Sequence, residues 1–150
     1  MKRVLDVCCG SRMFYFDKNN PEVLFQDNRE LVTTLCDGRQ LLVKPDVKAD
    51  FRNMPYKDNA FKVVVFDPPH LIHAGTVSWL NKKYGLLPKK WKPYLKAGFD
   101  ECMRVLELNG LLVFKWSENQ IPFAEVMKLF GMKPLLGDKR GDTRWVIFMK

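Results

Sequence analysis

The sequence has no apolar run approaching the roughly 20 residues that a membrane-spanning helix needs, so no membrane span is expected. It has no Gly-x-Gly-x-x-Gly and no Walker-type phosphate loop, which favours a ligand without a pyrophosphate over a dinucleotide or ATP. Cysteine is sparse. Cys8, Cys9, Cys36 and Cys102 contain no Cys-x-x-Cys pair, and the adjacent Cys8 and Cys9 do not make a disulfide framework. Reduced thiols in a cytoplasmic protein are the simplest account. Met1 to Asp6 carries charge too early for a secretion signal, which agrees with that location. Histidine is sparser still. His70, His73, Cys8 and Cys9 are zinc-ligand types, but their spacing matches no standard site, and no metal is expected. Acid is almost missing from one stretch: residues 67–98 carry six basic side chains against Asp67 alone, so most of the net +8 sits there. A basic patch of that kind attracts polyanions.

What is present is one domain's worth of chain, 150 residues with 47% apolar side chains, enough for a substantial core over residues 1–150. Arg3 to Cys9 reads as a first strand broken at Gly10-Ser11. Ser11 to Phe16 leaves room for one or two helical turns. Val23 to Gln26 is a second strand, ending at Asp27. Leu31–Leu35 and Leu41–Val43 flank Asp37-Gly38, a hairpin signal, with a short helix over 29–35 as the competitor. Val47 to Asp50 reads as a brief third strand, and Phe61 to Phe66 as a strand buried on both faces. Leu95, Phe99, Cys102 and Leu106 recur at helical spacing, with Asn109-Gly110 as the stop. Leu111 to Phe114 is the next strand, and Pro122 opens a helix that Gly131 closes. Lys133 to Leu136 and Trp145 to Met149 are the final strands. Alternation of this kind implies an α/β fold with a mostly parallel sheet.

Four candidate strands end in an acid or an acid-containing turn: Asp6 to Gly10, Asp27, Asp50 and Asp67. In a parallel sheet they share one edge, where such sheets bind ligands. Gly10 lets a ligand approach the backbone closely. Asp27 follows it at a distance suited to accepting hydrogen bonds from ribose hydroxyls. The string Val63-Val64-Val65-Phe66-Asp67-Pro68-Pro69-His70 ends a buried strand abruptly, because the prolines cannot continue a central ladder.

Val4-Leu5-Asp6-Val7-Cys8-Cys9-Gly10, Asp27, Asp50-Phe51, Asp67-Pro68-Pro69-His70 and Glu101 to Leu106 together resemble the class I S-adenosylmethionine-dependent methyltransferases. More narrowly, they resemble the small stand-alone bacterial and phage type with an Asp-Pro-Pro-(Tyr/Trp/Phe/His) amino-methyltransferase motif. The resemblance covers nearly the whole chain in the right order. It implies a Rossmann-like three-layer sandwich with few helices, whose mostly parallel seven-strand sheet has an antiparallel last strand. It implies S-adenosylmethionine as cofactor, held by Asp6, Cys8, Cys9, Gly10, Asp27, Asn28, Asp50, Phe51 and Asp67. Asp27 would bind the ribose, Asp50 the adenine amine, and Phe51 would flank the ring. Asp67 and the Pro68 carbonyl, with Pro69 and His70, would hold an exocyclic amine of adenine or cytosine for in-line methyl transfer. An aryl amine's lone pair is delocalised, so two acceptors that draw it toward tetrahedral geometry supply what the reaction needs most. The chain departs from the family in its glycine-poor first turn and in His70, where a larger aromatic ring is common. No proline precedes a cysteine, against covalent catalysis on a pyrimidine ring carbon.

The basic stretch names the partner. Over 71–98, lysines alternate with Trp79, Tyr84, Trp91 and Tyr94, and lysines meet phosphates while rings stack on unpaired bases. His73, Trp79, Lys82, Lys83, Lys89, Lys90 and Trp91 are therefore candidate substrate contacts, with Lys115 and Trp116 from the neighbouring strand end. The expected substrate is DNA or RNA, its base flipped out if double-stranded. Competing readings are a solvated loop whose aromatics enter the core, a small-molecule methyltransferase, and a non-catalytic cofactor-binding subunit.

Overall fold

The computed structural model describes residues 1–75 and 78–150. Its seven-stranded sheet has the order β5-β2-β1-β6-β7-β9-β8: β1 is Val4–Asp6, β2 Val23–Asp27, β5 Val47–Lys48, β6 Phe61–Phe66, β7 Leu106–Ser117, β8 Leu136–Arg140 and β9 Thr143–Met149. Neighbouring strands from β5 through β7 run parallel, and β9, the last strand, lies antiparallel to both β7 and β8. The short strands β3 (Leu31–Thr34) and β4 (Gln40–Val43) form the hairpin signalled by Asp37-Gly38.

Helix α2 (Trp91–Val105) and helix α3 (Phe123–Phe130) cover one face of the sheet. Val64, Phe66, Leu112, Phe114 and Phe148 point at them and are fully buried. Phe99 of α2 stacks on Phe130 of α3 at 4.1 Å and meets Phe148 edge-on at 5.3 Å. Gly98 is required in α2 because a Cβ there would lie 2.9 Å from both Phe51 and Phe66. Glu101 accepts from the Met54 N–H at 2.7 Å, and Arg104 donates to the Tyr56 and Met54 carbonyls, clamping the 54–58 connector onto α2.

The opposite face is dressed differently. Val63, Leu111 and Met149 form one cross-strand row, and Val65, Val113, Ile147 and Leu136 the next. None of these is fully buried, and among the described residues no helix lies over them. The third layer is instead a partial cover of irregular chain. Tyr15 packs edge-on against Phe25 at 4.9 Å, and Phe14 against Trp145 at 5.0 Å.

Several boundaries differ from expectation. Residues 11–16 make turns and no helix, because Gly10 and Arg12 both take left-handed φ values, 50° and 59°, which no right-handed helix accommodates. The Arg12 guanidinium then reaches the Lys18 and Lys44 carbonyls, fixing a loop. β1 stops at Asp6, and β5 has only two residues. Helix α2 ends at Val105, and Asn109-Gly110 lies inside β7 near an irregularity opposite β6. Gly110 serves close approach rather than a helix stop, since a Cβ there would sit 2.9 Å from the Lys62 carbonyl oxygen. The segment 71–98 is not one loop. It holds a short helix α1 (Trp79–Tyr84) and the first half of α2; Thr76 and Val77 lie outside the described residues. β8 falls after Lys133–Leu136, sharing only Leu136 with that expectation.

Candidate functional site

A cleft of about 740 Å³, open to solvent at its mouth, lies at the carboxyl ends of β1, β2, β6 and β7. The turn after β1 forms its floor, with Cys8, Cys9 and Gly10 lining it. A left-handed φ at Gly10 turns the backbone so that its N–H donates to Asp27 Oδ2 at 2.9 Å. Asp27 Oδ1 accepts from the Arg29 N–H at 2.9 Å, leaving the buried carboxylate with acceptor capacity toward the cleft. The Arg29 guanidinium lies 3.4 Å from Asp27 and also donates to the Lys82 and Lys83 carbonyls, tying the end of α1 to the Asp27 wall. Asn28, Ala49 and Phe51 continue this wall, and Tyr94 from α2 packs on Phe51 at 4.8 Å.

Asp67, Pro68 and Pro69 form the wall at the other end, beside Phe14 and Lys115. Here β6 has ended and the two prolines turn the chain out of the sheet. Burial pushes the Asp67 carboxyl up to about 6, while Lys115, 3.7 Å away, pulls it back toward ionisation. Asp6 lies beneath the floor, almost wholly buried, and accepts from the Cys8 N–H at 3.3 Å. Burial pushes its carboxyl up to about 7. Burial raises the Cys9 thiol to about 12 and the Cys8 thiol well above its ordinary value, so neither is a ready nucleophile.

The structure thus brings Cys8, Cys9, Gly10, Asp27, Asn28, Phe51, Asp67, Pro68, Pro69, Lys83 and Lys115 to one cleft. Others lie elsewhere. His70 is buried under the cleft, against the rings of Tyr84 at 5.4 Å and Trp116 at 6.3 Å, and burial lowers its pKa to about 4. Tyr84, not His70, presents a ring to the cleft. Asp50 is gripped by its neighbour Arg52, Oδ2 to Nη2 at 2.7 Å, and does not line the wall. Trp116 is a core residue whose indole N–H donates to the Ile121 carbonyl. Trp91 is core as well, because α2 starts four residues before Leu95 and so puts Trp91 on the same buried face. His73 is exposed and held through its backbone by Gln120. Trp79, Lys89 and Lys90 are exposed outside the cleft; Lys82 is half-buried and contributes its carbonyl to Arg29. Among the described residues no group of acids, cysteines and histidines is arranged to hold a metal ion.

Sequence reasoning gave Arg29 no role, and it gave Tyr94 only a place among the rings that stack on unpaired bases, not one beside Phe51. Arg29 carried a usable signal, two residues beyond an acid at a strand end. Nothing in the sequence pointed Tyr94 to Phe51, since that contact joins segments far apart in sequence.

No family model and no curated protein matches the chain. Solved structures do. A Pyrococcus horikoshii protein superposes with a TM-score of 0.62 at 17% identity, over 98% of this chain and 81% of that one. A SAM-dependent methyltransferase of Thermotoga maritima gives 0.57 at 13% identity, over 100% and 83%. A SAM-dependent methyltransferase of Leishmania major gives 0.56 at 11% identity, over 98% and 64%. The chain has the class I methyltransferase fold. In this fold the cleft occupies the edge where the parallel strands end, the general ligand position of open α/β sheets.

Proposed function

We propose that this protein is an S-adenosylmethionine-dependent methyltransferase acting on an exocyclic amine of adenine or cytosine in a nucleic acid. One observation carries the reading: a buried acid suited to ribose, Asp27, and a strand-end acid followed by two prolines, Asp67, line the same cleft. The residues fit the cofactor. Asp27 retains acceptor capacity for the ribose hydroxyls, and no atom lies within 4 Å of where a Gly10 Cβ would be, so the floor is open to the methionine portion. Phe51 and Tyr94, packed on each other, give the cleft an apolar wall suited to the adenine ring.

When bound, S-adenosylmethionine supplies a methyl group on an electrophilic sulfonium. Asp67 and the Pro68 carbonyl accept hydrogen bonds from the target amine and point its lone pair at that methyl. Pro69 stiffens the turn that carries both acceptors. Tyr84 offers a face for the target base, the role the sequence suggested for His70. Lys83 beside it, and the exposed Lys89, Lys90 and Trp79 farther out, suit a polyanion with unpaired bases.

The test has two steps. S-adenosylmethionine should raise the melting temperature of the purified protein. A labelled methyl donor is then offered with DNA, total RNA and small-molecule extract in parallel, and the labelled nucleoside is identified by mass spectrometry. Label should appear in an N-methylated adenine or cytosine, and Asp67→Ala should abolish transfer while retaining the thermal shift. Label found only in the small-molecule extract would overturn the nucleic-acid reading; absence of any thermal shift would overturn the whole.

A further inference from the structure

Lys115 stands in a cross-strand row of side chains that the sequence could not display. Phe66 of β6 is paired with Phe114 of β7, so Asp67 and Lys115 follow one step further along adjacent strands. On its other side Lys115 is paired directly with Trp145 of β9. The row therefore runs acid, cation, aromatic across three neighbouring strands. Phe14 closes it from above, packed edge-on against Trp145 at 5.0 Å. The Lys115 ammonium lies 3.7 Å from Asp67 Oδ2, 4.8 Å from the centre of the Phe14 ring and 5.8 Å from that of Trp145.

A lysine on a four-carbon stem ordinarily samples many rotamers. Here two ring faces attract its charge and restrict where it goes, and the head group is left mostly out of water. Such a seat makes the ammonium a fixed charge beside the acid rather than a roaming one. We propose that Lys115, seated on Phe14 and Trp145, is the positioning residue that holds Asp67 as an aimed, charged acceptor for the substrate amine. This rests on the methyltransferase reading above.

The electrostatics around Asp67 leave Lys115 that task. Asp6 lies near it from β1, and the charge of Asp67 helps to raise the Asp6 carboxyl, so Asp6 brings no attraction that would hold Asp67 ionised. His70, in the turn that follows, is buried and neutral near pH 7. Cys8 below it has its thiol raised, and Tyr94 from α2 has its hydroxyl raised, so neither brings charge. Lys83 of α1 lines the same cleft, but Lys115 is the one cation within 4 Å of Asp67 among the described residues. Burial alone favours the protonated acid, which would offer a hydrogen where the amine also offers one. Two donors facing each other cannot align the amine. With Lys115 in place the carboxylate keeps both oxygens as acceptors, one toward the ammonium and one toward the substrate.

The experiment compares wild type, Lys115→Met, Lys115→Arg and Phe14→Leu in single-turnover methyl transfer from pH 5 to 9.5, with cofactor binding followed by thermal shift. The wild-type rate should rise along an acid limb as Asp67 ionises. In Lys115→Met that limb should move up by about one unit or more; starting from about 6, the first unit costs roughly twofold in rate at about pH 7 and each further unit approaches roughly tenfold, with recovery at high pH. Lys115→Arg should restore most of the wild-type profile. Phe14→Leu keeps the charge and loosens its seat, so a smaller upward movement is expected; this variant keeps the idea testable if Lys115→Met fails to fold. An unmoved acid limb in Lys115→Met, with only KM for nucleic acid raised, would overturn the proposal and make Lys115 a phosphate contact. An unmoved limb in Phe14→Leu when Lys115→Met does not fold would overturn it too. Wild-type protein that binds no S-adenosylmethionine would sink the parent reading instead, so the two failures are distinct.

Discussion

Single residues carry the tension in this molecule, and Asp6 carries the most. It is nearly inaccessible to water, and it accepts from one backbone N–H at 3.3 Å with the Tyr15 hydroxyl nearby. Its carboxyl is raised to about 7 in the folded state against an ordinary value of 3.8. A raised acid binds its proton more tightly when folded, so its contribution to stability is fullest below the unfolded pKa and is lost as pH rises through the folded one. Asp67, raised to about 6, acts in the same sense. His70 opposes them. Its pKa is lowered to about 4, so between that value and 6.5 folding gains as pH rises. Asp6→Asn keeps an acceptor for Cys8 and removes the charge. It should stabilise the protein, and by roughly 1–3 kcal/mol more at pH 8 than at pH 5 in urea denaturation. Equal gains at both values would show that Asp6 is not raised. Asp67 and Asp27 were legible as cleft-lining residues because strand-end acids announce themselves in sequence. Trp116 was not, since a strand alternates its faces and only the observed pairing shows which face position 116 takes.

At the scale of elements, α2 decides the shape of the cleft wall. Replacing a mid-helix glycine by alanine ordinarily gains about 1 kcal/mol of helix propensity. At Gly98 the added methyl would meet Phe51 and Phe66 at 2.9 Å, and overpacking of that kind costs about 1–3 kcal/mol. The second effect should win. Gly98→Ala is expected to lower the melting temperature and, by pushing Phe51, to weaken cofactor binding; a rise in melting temperature with unchanged binding would refute this. The existence of β2, β6, α2, α3 and β9 was legible from periodicity, because each buries a regular stripe. The start of α2 was obscured by Pro93, which reads as a breaker although the first helical turn tolerates it. Its end was obscured by Asn109-Gly110, where a left-handed Asn109, φ 63°, sits inside a strand and not after a helix. Local signals read that dipeptide as a helix stop, whereas only Asn109 turns left-handed and it does so inside a strand, since context depends on Lys62 across the sheet.

The whole molecule is lopsided. One sheet face is sealed by α2 and α3, while the other shows half-buried valine, leucine and isoleucine to solvent. Surface scaling for a 17.6 kDa chain gives about 7,900 Å² of accessible area, and this protein exposes 8651 Å². Adjacent residues of β7 should report the asymmetry. Leu112, sealed under the helices, should cost about 2–5 kcal/mol on truncation to alanine. Val113, on the open face and only half-buried, should cost less, about 1 kcal/mol, by the same change. Denaturant titration of the pair checks this, and comparable losses would mean that the open face is covered in solution. No sequence pattern announced it: β6 reads as buried on both sides, and only the absence of helix from residues 11–22 leaves one side bare.

That openness has a calorimetric consequence. The heat-capacity change of unfolding comes chiefly from apolar surface newly exposed to water, and surface wet in the native state adds nothing to it. Ordinary domains of 150 residues give about 1.8–2.2 kcal/mol/K. This one should fall below that range in scanning calorimetry, and its stability should vary with temperature along a flatter dome than its length alone implies.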